Sequence, residues 1–130
     1  MQYRVDHYLP RAFKAIEYVK VGNNRFIKNN GSISKEYNGY ISSLGANIIQ
    51  AGIKAALTFY EAEESGSKSD RRLVNAAINF ILADAPDADY DNFHLSDILS
   101  DSPEKMQEQA EDILDAATAL KLALRTYKTE

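Results

Sequence analysis

The residues able to do acid–base, nucleophilic or metal chemistry are few and scattered. The chain of 130 residues has no cysteine and two histidines, His7 and His94. Disulfides, thiolate nucleophiles and thiolate metal sites are therefore excluded. His7 falls in an N-terminal stretch expected to fray, and His94 follows an acidic loop. Neither has a motif partner, and a histidine so placed is more often a surface or half-buried residue than a base. There is no HExxH, no glycine-rich phosphate loop and no carboxylate pair at a catalytic spacing. Only Asp84 to Asn92 (DAPDADYDN) has metal-like spacing, alternating at Asp87, Asp89 and Asp91 as a calcium loop begins. With Asp87 as position 1, position 6 is Asn92 instead of glycine and position 12 is Ile98 instead of a bidentate glutamate. Both diagnostic positions fail, so a solvated acidic loop is expected. The reading is a non-enzyme with no cofactor, no metal and no small-molecule substrate.

The remaining chemistry is charge. Residues 1–60 carry eight Lys/Arg against three Asp/Glu, a balance of +5, and residues 61–130 carry seven against sixteen, a balance of −9. From Asp84 to Asp115 there are eleven carboxylates and one lysine, Lys105. A chain with a basic half and an acidic block can meet a polyanion on one face and a basic protein on another. The plainer reading is a solvated surface that is merely uneven. Lys14, Lys20, Arg25, Lys28, Lys35 and Lys54 in the first half, and Arg71, Arg72, Lys121, Arg125 and Lys128 later, are the cations that helical packing could gather. Such a face would contact phosphates without reading bases.

The elements that must position these residues read as helices. Lys35 to Glu64 (KEYNGYISSLGANIIQAGIKAALTFYEAEE) contains no proline. At helical spacing it aligns Tyr37, Tyr40, Ile41, Leu44, Ile48 and Ala55, with Ile49, Ile53, Ala56, Leu57 and Tyr60 widening the stripe. As one helix it would run roughly 45 Å and serve as a spine, with Ser34 as N-cap. Gly39, Gly45 and Gly52, together with Ser42, Ser43, Ala46, Ala51, Ala55 and Ala56, make it rich in small residues. That suits close packing inside the bundle or a docking surface for a neighbour; a break at Gly39 or Gly45 is also open.

Before the spine, Tyr8-Leu9-Pro10 reads as the start of a first helix, with Pro10 near N1. Ala12, Phe13, Ile16, Val19 and Val21 give its stripe, and Gly22-Asn23-Asn24 its end. After the spine, Gly66 breaks the chain and Ser69 or Asp70 caps a third helix. Its apolar face is Leu73, Val74, Ala77, Ile78, Ile81 and Leu82. Arg71 and Arg72 in its first turn oppose the helix dipole. Phe93 to Leu99 is a short turn with Leu95, Ile98 and Leu99 inward. Ser102 then caps a last long helix with Pro103 at N1. Its apolar stripe is Met106, Ala110, Ile113, Leu114, Ala117, Leu120, Leu124 and Tyr127. Acids fill its first half and Lys121, Arg125 and Lys128 its second, as the macrodipole favours. No segment shows strand alternation. The expectation is an all-α, single-domain bundle over 1–130, of about five helices, two of them long. No apolar run is long enough to cross a membrane and the N-terminus lacks a signal-peptide core, so a cytoplasmic protein is expected.

Two segments resemble a known family. Lys35 to Glu64, through the run Ile48-Ile49-Gln50-Ala51-Gly52-Ile53-Lys54-Ala55-Ala56-Leu57-Thr58-Phe59-Tyr60, is similar to the central helix of the small subunit of type III-B CRISPR RNA-targeting complexes, the fifth Cmr subunit. That family commonly has leucine after the glycine, where this chain has Ile53. Ala116 to Lys128 (AATALKLALRTYK) resembles the family's closing helix, without the tryptophan often found there. The resemblance implies a small helical subunit of an antiviral ribonucleoprotein. Such a subunit stacks along the complex with copies of itself, touches the large subunit and the backbone subunits, and helps hold the guide–target RNA without being the nuclease. On that reading Lys54, Arg71, Arg72, Lys121, Arg125 and Lys128 are the candidate RNA-facing residues. The alternative is an all-helical protein–protein adaptor with no nucleic-acid role, binding through the small-residue surface of the spine and the acidic loop.

Overall fold

The last helix is the best specified element. Ser102, in extended conformation, precedes Pro103 at N1, where a missing N–H costs nothing. The Met106 N–H closes the first turn on the Ser102 carbonyl at 2.9 Å. In the computed structural model, which describes residues 2–21, 24–61, 71–83 and 95–129, five α-helices share one apolar core. They are α1 (Gln2–Tyr18), α2 (Glu36–Ala51), α3 (Ile53–Glu61), α4 (Arg72–Ala83) and α5 (Pro103–Leu124). The all-α reading stands.

Several expectations about the elements are corrected. The first concerns the spine, which is two helices. Gly52 has φ 93° and ψ 157°, a region that is essentially glycine-only. There the chain turns back, so that α3 packs against α2. The Tyr60 hydroxyl donates to the Tyr40 carbonyl, and the two rings are 6.4 Å apart. In one straight helix those residues would lie about 30 Å apart. The break falls at neither Gly39 nor Gly45; both stay inside α2. Folding back also moves two stripe residues outward: Ala55 is exposed and Ile49 is 80% exposed.

The second correction is at the N-terminus. α1 begins at Gln2, and Pro10 lies inside it. Arg4 explains the early start: its guanidinium bonds the Asp112 carboxylate and stands 3.3 Å from Asp115, both on α5. Val5, Tyr8 and Leu9 pack on the core beside it. These contacts offset the lost hydrogen bond and the ring clash of an interior proline.

The third is a pair of two-residue strands. β1 (Lys20–Val21) and β2 (Asn24–Arg25) pair antiparallel, Lys20 opposite Arg25. Val19 and Val21 are buried as expected, but they follow the end of α1 instead of extending it. The first helix thus ends at Tyr18, short of the expected Gly22-Asn23-Asn24, and Asn24 lies in β2; Gly22 and Asn23, the turn and cap over 62–70 and the acidic loop with His94 over 84–94 lie outside the described residues. Leu95 opens a 3₁₀ turn, Leu95–Ile98, and is buried, whereas Ile98 is 40% exposed, contrary to expectation.

The centre of the molecule is α4. Every residue from Leu73 to Ile81 is buried, as in a helix enclosed on all sides. Asn75 ties it to α3, donating from Nδ2 to the Leu57 carbonyl at 3.1 Å. Arg11 of α1 donates to the Ile81 carbonyl at 3.0 Å. α1 and α5 run parallel, since Arg4 meets Asp112 and Phe13 meets Tyr127. α2 runs antiparallel to α5: Gly45 faces Leu114, and the Ile33 N–H just before α2 bonds the Lys128 carbonyl at 2.9 Å.

Candidate nucleic-acid interface

Antiparallel packing of α2 and α5 decides where the cations go. α5 ends where α2 begins, so its basic last turn meets the segment that leads into α2. Lys121 is half-buried there, and Arg125 and Lys128 are exposed. Across the Ile33–Lys128 bond, the segment is closed by the Lys28 N–H on the Ser32 carbonyl at 2.8 Å and by the bridge between Ile27 and Ile33. That brings the exposed Lys28 and Lys35 to the same end. Carboxylates of the described residues share it, among them Glu61 next to Tyr60 at the end of α3. Glu36 accepts from the Ser34 hydroxyl at 3.3 Å. Glu17 lies near Tyr127, whose pKa is raised first by burial and then by that negative charge.

Arg71 and Arg72 reach this end by a different route. A chain of aromatic rings runs from Phe26 to Tyr37 (4.8 Å), Tyr37 to Tyr40 (6.0 Å) and Tyr40 to Tyr60 (6.4 Å), then to Phe59 (5.8 Å). The Arg71 guanidinium lies over the Phe59 ring at 4.2 Å from its centroid, close enough for a cation–π contact. Tyr40 is one turn into α2, so these contacts set Arg71 on the side of α3 that meets the first half of α2, with Arg72 next to it at the start of α4. Burial raises the Tyr60 pKa, against the lowering effects of Arg71 and of a hydrogen bond with Ser43. The phenol is thus held as a neutral donor to Tyr40. Burial, followed by the Asp112 charge, raises the Tyr8 pKa in the same direction beside the Arg4 ion pairs.

Five of the six predicted residues therefore come to one end, joined by Lys28 and Lys35. Lys54 does not. It is exposed two residues past Gly52, and α2 separates it from that end by about 24 Å of helix. The grouping of Lys54 with the other five follows from the family resemblance, which carries no information on the fold-back at Gly52. Phe59, 54% exposed, is not among the residues that the sequence singles out for a site. Its signal was there: Phe59 and Tyr60 are adjacent on a helix, so both cannot face one core.

Among the described residues no three His, Asp or Glu converge as a metal site, and no helix is long and apolar enough to cross a membrane. His7 is exposed on α1 with its ring 5.8 Å from Tyr8. At the opposite end of α2 the chemistry reverses. The exposed Glu104, Glu108 and Glu111 line the first half of α5, beside an apolar groove at the α2–α3 hinge. Among the described residues, cations thus gather toward one end of α2 and exposed acids toward the other.

Comparison with curated proteins and with solved structures gives no match. The model of one family, described as CRISPR-associated protein (Cas_Cmr5), matches residues 9–127. That span runs from the middle of α1 to just past α5. It takes in the glycine hinge, the buried α4 and both charged ends, and on that extent of match the chain belongs to the Cmr5 family of CRISPR-associated proteins.

Proposed function

We propose that this chain is a non-catalytic structural subunit of a type III-B CRISPR ribonucleoprotein in the prokaryotic cytoplasm. It stacks along the complex with copies of itself, contacts the large and backbone subunits, and helps hold guide and target RNA in antiviral defence. Family membership supports the assembly. The observation that carries the RNA role is the gathering of Arg71, Arg72, Lys121, Arg125 and Lys128 with Lys28 and Lys35 at the end where α5 meets α2. Cations from four separate stretches of sequence suit a phosphate backbone, which needs charge at several points and no base-reading geometry. Lys54, at the hinge, is not assigned to that surface.

Purification of the complex from its native host, with and without this subunit, tests the reading. The chain is expected to co-purify with the other subunits and with guide RNA. Complexes lacking it are expected to release target RNA faster. Retention of target RNA unchanged by its removal would leave the adaptor role alone. That second reading has an observation of its own, the open apolar groove at the acidic end.

A further inference from the structure

The apolar surface left open lies away from the basic end. Ile48, Ile53, Met106, Ala110 and Leu114 floor a groove of about 400 Å³ between the α2–α3 hinge and the first half of α5. Ile49 forms part of its lining and is 80% exposed. Apolar surface gathered into a concavity with a polar border is the pattern of a docking site. On the α5 side Gln107 and Glu111 are the polar residues of the lining, and Glu104 and Glu108 flank it. Glu104, Glu108 and Glu111 recur at four and three, which sets them in one row along the helix, and all three are exposed. Asp112 and Asp115, four residues past Glu108 and Glu111, continue the acidic side of α5, but there Arg4 of α1 engages them. The nearest cations in sequence are Lys105 on α5 and Lys54 on α3, so the border is negative on balance.

We propose that this groove docks an amphipathic helix from another subunit, apolar on one face and carrying Lys or Arg along the edge that meets Glu104, Glu108 and Glu111. Pro103 to Leu114 offers about 17 Å of helix to lie against, room for three turns. Phosphate is a poor occupant, because the floor is apolar and the border repels it. A second copy of this chain is also a poor one. Among the described residues its other exposed large apolar side chains, Tyr18, Phe59, Ile98 and Leu122, lie one each on four different elements. None has another a turn away to fill a groove.

The inference rests on the assembly proposed above. Its test places the photo-crosslinker p-benzoylphenylalanine at position 49 in the reconstituted complex, where the exposure of Ile49 leaves the fold undisturbed. Irradiation and mass spectrometry then identify the crosslinked peptide. The expected product joins position 49 to a helical, Lys/Arg-bearing segment of a different subunit. Its yield should fall at least fivefold when Glu104→Lys, Glu108→Lys and Glu111→Lys are combined, with a cooperative circular dichroism melt showing that the free variant chain still folds despite the charge reversal at the start of α5. Crosslinks to RNA, to a second copy or to an acidic segment would overturn the proposal, as would no crosslink or a yield indifferent to the charge reversal. A chain that fails to co-purify removes the assembly and the groove together. One that co-purifies without a crosslink at position 49 removes the groove alone.

Discussion

At the scale of single residues, Tyr60 joins the two halves of the helical hairpin. Its ring is buried and its hydroxyl donates to the Tyr40 carbonyl. Tyr60→Phe keeps the ring and loses the bond, so it should cost about 1 kcal/mol, read as a lower urea midpoint at neutral pH. The pH dependence follows from the raised pKa, whose main cause is burial. Between the ordinary tyrosine value near 10 and the higher folded value, the folded chain holds a proton that the unfolded chain has lost. The contribution of Tyr60 is therefore fully present below about pH 10 and is lost as pH rises through the folded pKa. Urea midpoints at pH 7 and pH 11 should differ less in Tyr60→Phe than in the parent. An equal alkaline loss in both would show that Tyr60 takes no part. The placement of Tyr60 at a stripe position was legible from spacing alone. Its partner was not, because a bond to Tyr40 requires a fold-back that no periodicity encodes.

At the scale of elements, the glycines of the former spine have opposite roles. Gly39 and Gly45 sit in ordinary helix interior. A Cβ would meet nothing within 4 Å at Gly39 and only Leu114 at 3.9 Å, ordinary contact, at Gly45. Replacement by alanine should stabilise by up to about 1 kcal/mol at each. Gly52 also has open space around it, but its φ of 93° is closed to a side chain. Gly52→Ala should destabilise by about 1–3 kcal/mol through backbone strain alone. Three single variants compared by chemical denaturation settle the sign at each position. A stabilising Gly52→Ala would mean that the spine is straight after all. Pro10 gives a parallel case in α1: it is exposed, so Pro10→Ala should restore a helical bond and stabilise by about 2 kcal/mol. These are also the places where sequence reading ran out. A glycine in a helical pattern reads alike whether its φ is negative or positive. A proline preceded by Tyr-Leu reads as a helix start unless the Arg4 pairing with α5 is known. The apolar stripe of α4, by contrast, was legible almost residue for residue. Its enclosure on all sides was not, since Asn75 and Asn79 look like a solvent face until Asn75 is seen bonded to Leu57.

At the scale of the whole molecule, charge is sorted along the axis of α2 and α5. The acids and bases of α5 were legible as an answer to the helix dipole. The gathering of Lys28, Lys35 and Arg71 beside the basic turn depends on the antiparallel packing and on the aromatic chain, which only the fold supplies. This separation yields the sharpest test of the RNA role. Phosphate contacts show themselves in the salt dependence of binding, the slope of log affinity against log salt falling by about one for each contact removed. Lys35→Glu, Arg125→Glu and Lys128→Glu, combined in the assembled complex, should weaken target-RNA retention and flatten that slope by about three. Lys54→Glu, an equal change of charge at the hinge, should leave the slope unaltered. Net charge alone would make the effects scale with the number of substitutions wherever they were placed. A Lys54→Glu effect as large as one third of the triple would therefore assign the salt dependence to the overall field and not to the basic end. Filter binding of one target RNA across a salt series, with complexes of matched subunit composition, separates the two outcomes.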